Sequence, residues 1–295
     1  MAFISIIVPC FNEETTLPIF MNALAKVKFS PATRVELNFI DDGSSDHTLK
    51  IIKQIASKRP DTHYISFSRN FGKESGILAG LRIAHGDYIT VMDVDLQDPP
   101  ELLPKMIKLL DENPDLDVVA TRRKDRTGDR ECTSWLSTEF YKIANKFMTV
   151  EIPVNARDFR LMRRKVAQTI IDLPENNRFI KGLFSWVGYK QTLISYPNHH
   201  RSSGTSHYST WTLFKYAFSG LMDFSNVFIN LPFIFALFTL IGLIISLFLS
   251  ERTILVTVFF CSTLFLTSIG IVTHYLWNIY MQVKKRPMYI VREQN

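Results

Sequence analysis

The chain has 295 residues, a formal charge of +6, a pI near 9.1 and 46% hydrophobic residues. That length gives room for one large domain plus an appendage; the three cysteines, Cys10, Cys132 and Cys261, lie too far apart for a disulfide framework or a zinc site. No DNA- or RNA-binding motif accompanies the basic charge, which points to a membrane surface or to phosphorylated substrates and away from nucleic acid.

The chain opens on a strand signal, with no basic segment followed by an apolar stretch, so no signal peptide is expected. Strand-like apolar runs occupy residues 3–8, 35–40, 64–67, 88–92 and 117–120. Helical patterns lie between them, at 15–27, 46–57, 73–85 and 100–112. The alternation predicts an α/β domain with a mostly parallel sheet. Such sheets bind ligands at the carboxyl ends of their strands. Polar clusters at 9–14, 41–46, 68–73 and 93–98 sit at those ends, so four loops converge on one edge. No Gly-x-Gly-x-x-Gly follows the first strand, which argues against a dinucleotide-binding enzyme. Gly72, Gly76 and Gly80 recur every four residues on a predicted helix and read as close helix packing.

The run Asp93-Val94-Asp95-Leu96-Gln97-Asp98 ends the fourth strand with three carboxylates and an amide. Side chains alternate along an extended chain, so Asp93, Asp95 and Gln97 can share one side. Hard oxygen ligands there suit Mg²⁺ or Mn²⁺ carrying a diphosphate. The same run also reads as an acidic turn, with Asp98 capping the next helix ahead of Pro99 and Pro100. Residues 122–130 carry Arg122, Arg123, Lys124, Arg126 and Arg130. They read either as a solvated loop or as a phosphate clamp that orders with substrate.

Between 202 and 224 an apolar helical face (Trp211, Leu213, Phe214, Ala217, Phe218, Leu221) opposes Lys215, the pattern of a helix lying in a membrane interface. Two apolar runs follow, about 227–249 and 254–280, interrupted by Glu251 and Arg252. Each is long enough to cross a bilayer, which takes roughly 20 apolar residues. Lys284, Lys285 and Arg286 follow at once and place that end in the cytoplasm. Two spans return the chain to its starting side. The expected organisation is a cytoplasmic domain over 1–200, an interfacial segment over 201–226, a transmembrane hairpin over 227–283 and a basic cytoplasmic tail over 284–295.

The ordered motifs Val8-Pro9-Cys10-Phe11-Asn12-Glu13-Glu14, Asp41-Asp42-Gly43-Ser44-Ser45-Asp46, Arg69-Asn70-Phe71-Gly72-Lys73-Glu74 and Asp93 to Pro99 resemble family-2 glycosyltransferases of the GT-A fold. More narrowly, the chain looks like polyprenyl-phosphate glycosyltransferases, the bactoprenol glucosyltransferases and dolichyl-phosphate mannose synthases. Asp158-Phe159-Arg160-Leu161-Met162, Asn177 to Leu183 and Arg201 to Tyr208 agree. The resemblance covers nearly the whole chain, including both apolar runs. His207 and Thr205 depart from it: Lys is usual at the first and Glu or Lys frequent at the second.

The resemblance implies transfer of a sugar from a nucleotide donor to the phosphate of a membrane isoprenoid. Pro9, Asn12, Glu13, Asp41, Asp42, Arg69 and Lys73 are then expected on the nucleotide sugar, with Asp93 near ribose and metal. Asp95 and Gln97 are expected to ligate Mg²⁺ or Mn²⁺. Arg122, Arg126, Arg130, Arg178, Lys181 and Arg201 are expected toward phosphate or acceptor, and Asp158 is the acidic residue near the acceptor. The motif set is closer to the bacterial glucosyl-type branch, so UDP-glucose or UDP-N-acetylglucosamine and undecaprenyl phosphate are expected, with GDP-mannose the alternative donor. Related proteins suggest a homotetramer. A processive polysaccharide synthase is set aside, because its Gln-x-x-Arg-Trp motif and extra spans are missing. A transferase-like scaffold without activity remains the rival from another class.

Overall fold

The computed structural model describes residues 2–123, 145, 146, 148, 150, 156–197, 220, 222, 224, 225, 227–246, 248 and 251–295. Expectations for Arg126, Arg130, Arg201 and most of the interfacial segment lie outside these residues. The described strands are β1 (Ala2–Cys10), β2 (Thr33–Asp41), β3 (Thr62–Phe67), β4 (Tyr88–Val91), β5 (Val118–Arg123), β6 (Ala156–Arg163), β7 (Gln191–Tyr196) and β8 (Val291–Gln294). The helices are α1 (Leu17–Ala25), α2 (Thr48–Lys58), α3 (Lys73–Ile83), α4 (Leu103–Glu112), α5 (Arg164–Asp172), α6 (Ile180–Trp186), α7 (Val227–Ser246) and α8 (Glu251–Val283).

All eight strands join one sheet in the order β7-β5-β6-β4-β1-β2-β3-β8. β1 to β4 run parallel, as the alternation predicts. β6 runs antiparallel to both β4 and β5, and β8 antiparallel to β3. Parallel strands covered on both faces read as continuous apolar runs, and β1 shows why. Ile4, Ile6 and Val8 join the core under α1, α2 and α4, while Ile7 joins the opposite core with Ile77 and Leu81 of α3. All of these are at most 1% exposed. Each such side chain contributes roughly 1.5–3 kcal/mol.

Two of the three spaced glycines serve packing. A Cβ at Gly80 would stand 2.2 Å from Ile7 Cγ2, and one at Gly76 would meet Pro9 Cβ at 3.5 Å. Side-chain-free positions therefore seat α3 directly on β1. Gly72 acts otherwise: it precedes α3 with φ +96, a left-handed turn that glycine adopts without strain.

α7 and α8 are long and apolar enough to cross a membrane, over Val227–Ile245 and Ile254–Val283. They touch where Gly242 faces Thr257 and Cys261. Their outer residues stay uncovered, Phe233 at 74% and Phe259 at 72% exposure, which suits a lipid surroundings. Residues 284–295, expected as a basic tail, fold back onto the sheet. Tyr289 stacks on Phe67 at 4.8 Å between centroids, the Ser68 N–H donates to the Ile290 carbonyl at 2.9 Å, and β8 completes the edge beside β3.

Candidate active site

The carboxyl ends of β1 to β4 form one rim. β6 adds to it because it runs the other way: Tyr88 pairs with Arg163, Ile89 with Met162 and Thr90 with Leu161. Continuing that register sets Asp158 across from Asp93. Two facing carboxylates stay ionised together only where a cation offsets their repulsion, and Lys73 at the start of α3 supplies one. Its Nζ lies 2.8 Å from Asp93 Oδ1 and donates to Asp158 Oδ2 at 2.8 Å. Lys181 of α6 stands 4.0 Å from the other Asp158 oxygen. The Lys73, Asp93 and Asp158 side chains are 24%, 28% and 24% exposed, shielded from bulk water yet open to a substrate.

Burial alone would raise the pKa of Asp158. The charges of Lys73 and Lys181 and the hydrogen bond from Lys73 outweigh it and hold this carboxyl well below the usual range. Burial likewise disfavours the Lys73 ammonium, but Asp158 and Asp93 raise its pKa well above the ordinary lysine value. Both groups are therefore charged across the neutral range.

The acidic run after β4 is shaped by its own backbone. Leu96 has φ 55, and Asp95 Oδ1 accepts the Gln97 N–H at 3.1 Å. Asp98 does not cap the following helix, whose first turn has no side-chain cap. It is 1% exposed, and its carboxylate accepts Arg157 Nε at 3.0 Å and the Tyr196 hydroxyl. Arg157 also reaches Gln97 Oε1 at 3.4 Å. Burial opposes the Arg157 charge, but Asp98 and then Asp93 more than offset it. Sequence reasoning missed Arg157 and Tyr196, since neither stands in a motif and their role exists only once β6 and β7 are placed.

Among the described residues, no group of three or more His, Cys, Asp or Glu side chains is arranged to hold a metal alone. Asp95 and Gln97 provide two hard oxygen donors on a half-buried loop. That sparse set fits an ion brought with a diphosphate, because Mg²⁺ is commonly bound by one or two carboxylates plus substrate phosphates and water.

The nucleotide-side residues interlock. The Asn12 N–H donates to Ser44 Oγ at 3.0 Å, and Asn12 Oδ1 accepts the Ser45 N–H at 2.9 Å. The Glu13 N–H donates to Thr48 Oγ1 at 2.7 Å, and the Glu13 carboxylate accepts the Thr16 hydroxyl. Pro9 is half-buried at the end of β1. Asp41 is 1% exposed and accepts the Ser66 hydroxyl at 2.7 Å and the Ser44 N–H at 3.2 Å, so it organises the loops. Asp42 accepts the N–H groups of Phe71 and Gly72 at 2.6 and 2.9 Å. Its burial pushes its pKa up to about 6, against the pull of those two N–H groups. Arg69 is exposed, with its guanidinium 4.0 Å over the Phe71 ring.

The predicted phosphate-side residues separate. Arg122 is exposed on β5 and donates to Ser195 Oγ at 2.9 Å. Lys181 joins the Asp158 cluster. Arg178 does not present its charge: it is 5% exposed and donates to the carbonyls of Ile170 at 2.8 Å, Glu175 at 3.1 Å and Leu173. It holds the turn between α5 and α6, where free helix-end carbonyls need donors.

The sequence matches the Glycosyl transferase family 2 domain over residues 5–171, more than half of the chain. It is 39% identical to the putative glycosyltransferase CsbB of Bacillus subtilis, over 99% of this chain and 92% of that one. It is 35% identical to the SfII prophage-derived bactoprenol glucosyl transferase of Shigella flexneri, over 99% and 98%. A prophage bactoprenol glucosyl transferase homolog of Escherichia coli is 36% identical, over 98% of each chain. In fold, the chain is similar to the Mycobacterium tuberculosis glucosyl-3-phosphoglycerate synthase complex with Mn²⁺, UDP and glucosyl-3-phosphoglycerate, with a TM-score of 0.51 and 18% identity over 75% of this chain and 78% of that one. A GT-A sheet, the charged rim at its carboxyl edge and these relatives agree: the chain belongs to glycosyl transferase family 2 and is a glycosyltransferase.

Proposed function

We propose that the protein transfers a hexose, glucose or N-acetylglucosamine, from a UDP-sugar to undecaprenyl phosphate with inversion at the anomeric carbon. The observation that carries the lipid acceptor is the return of β8 to the catalytic sheet directly after α8. A chain that leaves the sheet, crosses the bilayer twice and rejoins the same sheet holds its active rim beside the membrane. The near full-length match to bactoprenol glucosyl transferases supports the same acceptor. Lys284, Lys285 and Arg286 at the inner end favour a cytoplasmic catalytic domain.

In the proposed reaction, an oxygen of the lipid phosphate forms a bond to the anomeric carbon as the bond from that carbon to the nucleoside diphosphate breaks. The products are the lipid-linked phosphosugar and UDP. A phosphate monoester, with a second pKa near ~6, is largely dianionic at neutral pH and needs no strong general base. Asp158 matches that demand: a carboxylate held far below neutral pKa is a poor proton acceptor. Its part is to position the acceptor and to face the cationic sugar centre, with Lys73 and Lys181 fixing its charge. Asp95 and Gln97 would hold Mg²⁺ or Mn²⁺ on the donor diphosphate, where the ion offsets charge on the leaving group.

Calorimetry of UDP binding with and without Mn²⁺ tests the donor side. UDP should bind at least about tenfold more tightly with the ion, and Asp95→Ala should abolish that gain. Equal affinity with and without the ion in the unaltered protein would remove metal from the account.

A further inference from the structure

β6 holds the acidic run after β4 from both faces of the sheet. Successive side chains of a strand point to opposite faces, and the neighbours Arg157 and Asp158 use that alternation. Asp158 accepts from Lys73 of α3, which also donates to Asp93 at 2.9 Å. Arg157 turns to the α4 side, where Phe159, two residues on, packs in one core with Leu103 and Met106. There it meets Gln97 and Asp98. One strand therefore grips both ends of the run, with Asp95 between the two grips.

The Arg157 grip is rigid. Asp98 is 1% exposed; its Oδ1 accepts Arg157 Nε at 3.0 Å and the Tyr196 hydroxyl, and its Oδ2 lies 3.5 Å from Arg157 Nη2. A planar fork on a buried carboxylate fixes both the place and the plane of the guanidinium. The same Nη2 donates to Gln97 Oε1 at 3.4 Å. An amide oxygen has two lone pairs, so Gln97 can accept from Arg157 and still offer one to an ion. The backbone here needs holding: Leu96 has φ 55, a conformation a leucine keeps only where its surroundings over-determine it. Asp95 Oδ1, accepting the Gln97 N–H at 3.1 Å, secures it within the loop, and Asp98 secures it to β6 and β7. We propose that Arg157 is a positioning residue: braced by Asp98 and Tyr196, it orients Gln97 beside Asp95 and sets the distance of that pair from Asp158. The assignment rests on Asp95 and Gln97 as the ion-holding pair given under Proposed function. The expected sign is distinctive. Arg157 brings positive charge toward a cation site, so by charge alone its removal would tighten the ion; loss of orientation weakens it.

The test is calorimetry of UDP binding to the full chain in detergent, without ion and across a Mn²⁺ titration, which reads ion binding apart from turnover. Arg157→Gln should keep ion-free UDP affinity within about twofold and cut the Mn²⁺-dependent gain about tenfold or more, the scale of losing a group that orients a metal ligand. Arg157→Lys keeps a charge beside Asp98 but not the fork, so most of that loss should remain. Tyr196→Phe removes one buried hydroxyl and should cut the gain about twofold to tenfold; it carries the test if Arg157→Gln does not fold. An unchanged or larger gain in Arg157→Gln, or in Tyr196→Phe should the first variant not fold, would overturn the brace. So would full recovery in Arg157→Lys, which would make Arg157 a counter-charge for Asp98 and nothing more. Both results leave the ion-holding pair standing. Absence of any Mn²⁺ gain in the unaltered protein would remove that pair and the brace with it.

Discussion

An ammonium group shared by two carboxylates fixes the charge of all three. Lys73 is that group, and its loss would leave Asp93 and Asp158 opposed, with Lys181, Arg157 and Arg160 still acting on them. Lys73→Met should lower kcat/KM by about 100-fold or more, the scale of losing one preorganised charge. The pH dependence has a defined sign. Asp158 is held below its ordinary value, so its contribution to stability is present above about pH 4 and is lost as the pH falls through its depressed value. In Lys73→Met that value rises, and acid unfolding should begin at a higher pH. Acid titration followed by circular dichroism, run beside turnover, checks both; an unchanged acid midpoint would separate Lys73 from Asp158. Asp42 has the opposite sign. Burial raises its pKa to about 6, Asp41 adds to the rise and Arg69 opposes it, so ionisation lowers stability as the pH climbs from about 4 to about 6. If Asp42 contacts the donor as a carboxylate, donor KM should rise as the pH falls below about 6. That step should vanish in Asp42→Asn at a cost of about tenfold in affinity. The motifs made Asp93, Asp158 and Lys73 visible in sequence. Their bridge was not, because it depends on β6 running antiparallel to β4. The surroundings of Arg178 were hidden for a related reason: its three backbone-carbonyl partners belong to the end of α5 and the turn between α5 and α6 and carry no sequence signal.

Elements with strong local patterns were legible. Strands 3–8, 35–40, 64–67 and 88–92 fall within a residue or two of β1 to β4, 117–120 stops three residues short of the end of β5, and the helices between them start and stop near α1 to α4. The sequence reading named neither β6 to β8 nor α5 and α6. β8 shows why: Val291-Arg292-Glu293-Gln294 has no alternation of apolar and polar residues, and its partner β3 lies far upstream. Its stability comes from tertiary contacts. Tyr289 stacks on Phe67, Lys53 pairs with Glu293 at 2.6 Å, and the Tyr64 N–H donates to Asn295 Oδ1 at 2.6 Å. Truncation after Pro287 should therefore expose the β3 edge and lower the melting temperature in detergent by several degrees, about 2–4 °C per kcal/mol lost in a domain of this size. An unchanged melting temperature would mean that β8 adds nothing to the sheet.

The whole molecule joins a GT-A transferase sheet to two long apolar helices, both candidate membrane spans, and returns to that sheet through β8. The two long apolar helices were legible because Glu251 and Arg252 are the only charged side chains between Ser225 and Val283. The closure of the chain onto its catalytic sheet was not, since no local signal announces a return across the sheet edge. The reaction proposed for this rim is transfer to an isoprenoid phosphate. It is tested most directly with purified full-length protein in detergent, undecaprenyl phosphate, Mg²⁺ or Mn²⁺ and a panel of radiolabelled nucleotide sugars. The account predicts labelled lipid from a UDP-hexose and none from Asp158→Asn at comparable UDP affinity. Absence of labelled lipid from every donor, with UDP still bound, would contradict it.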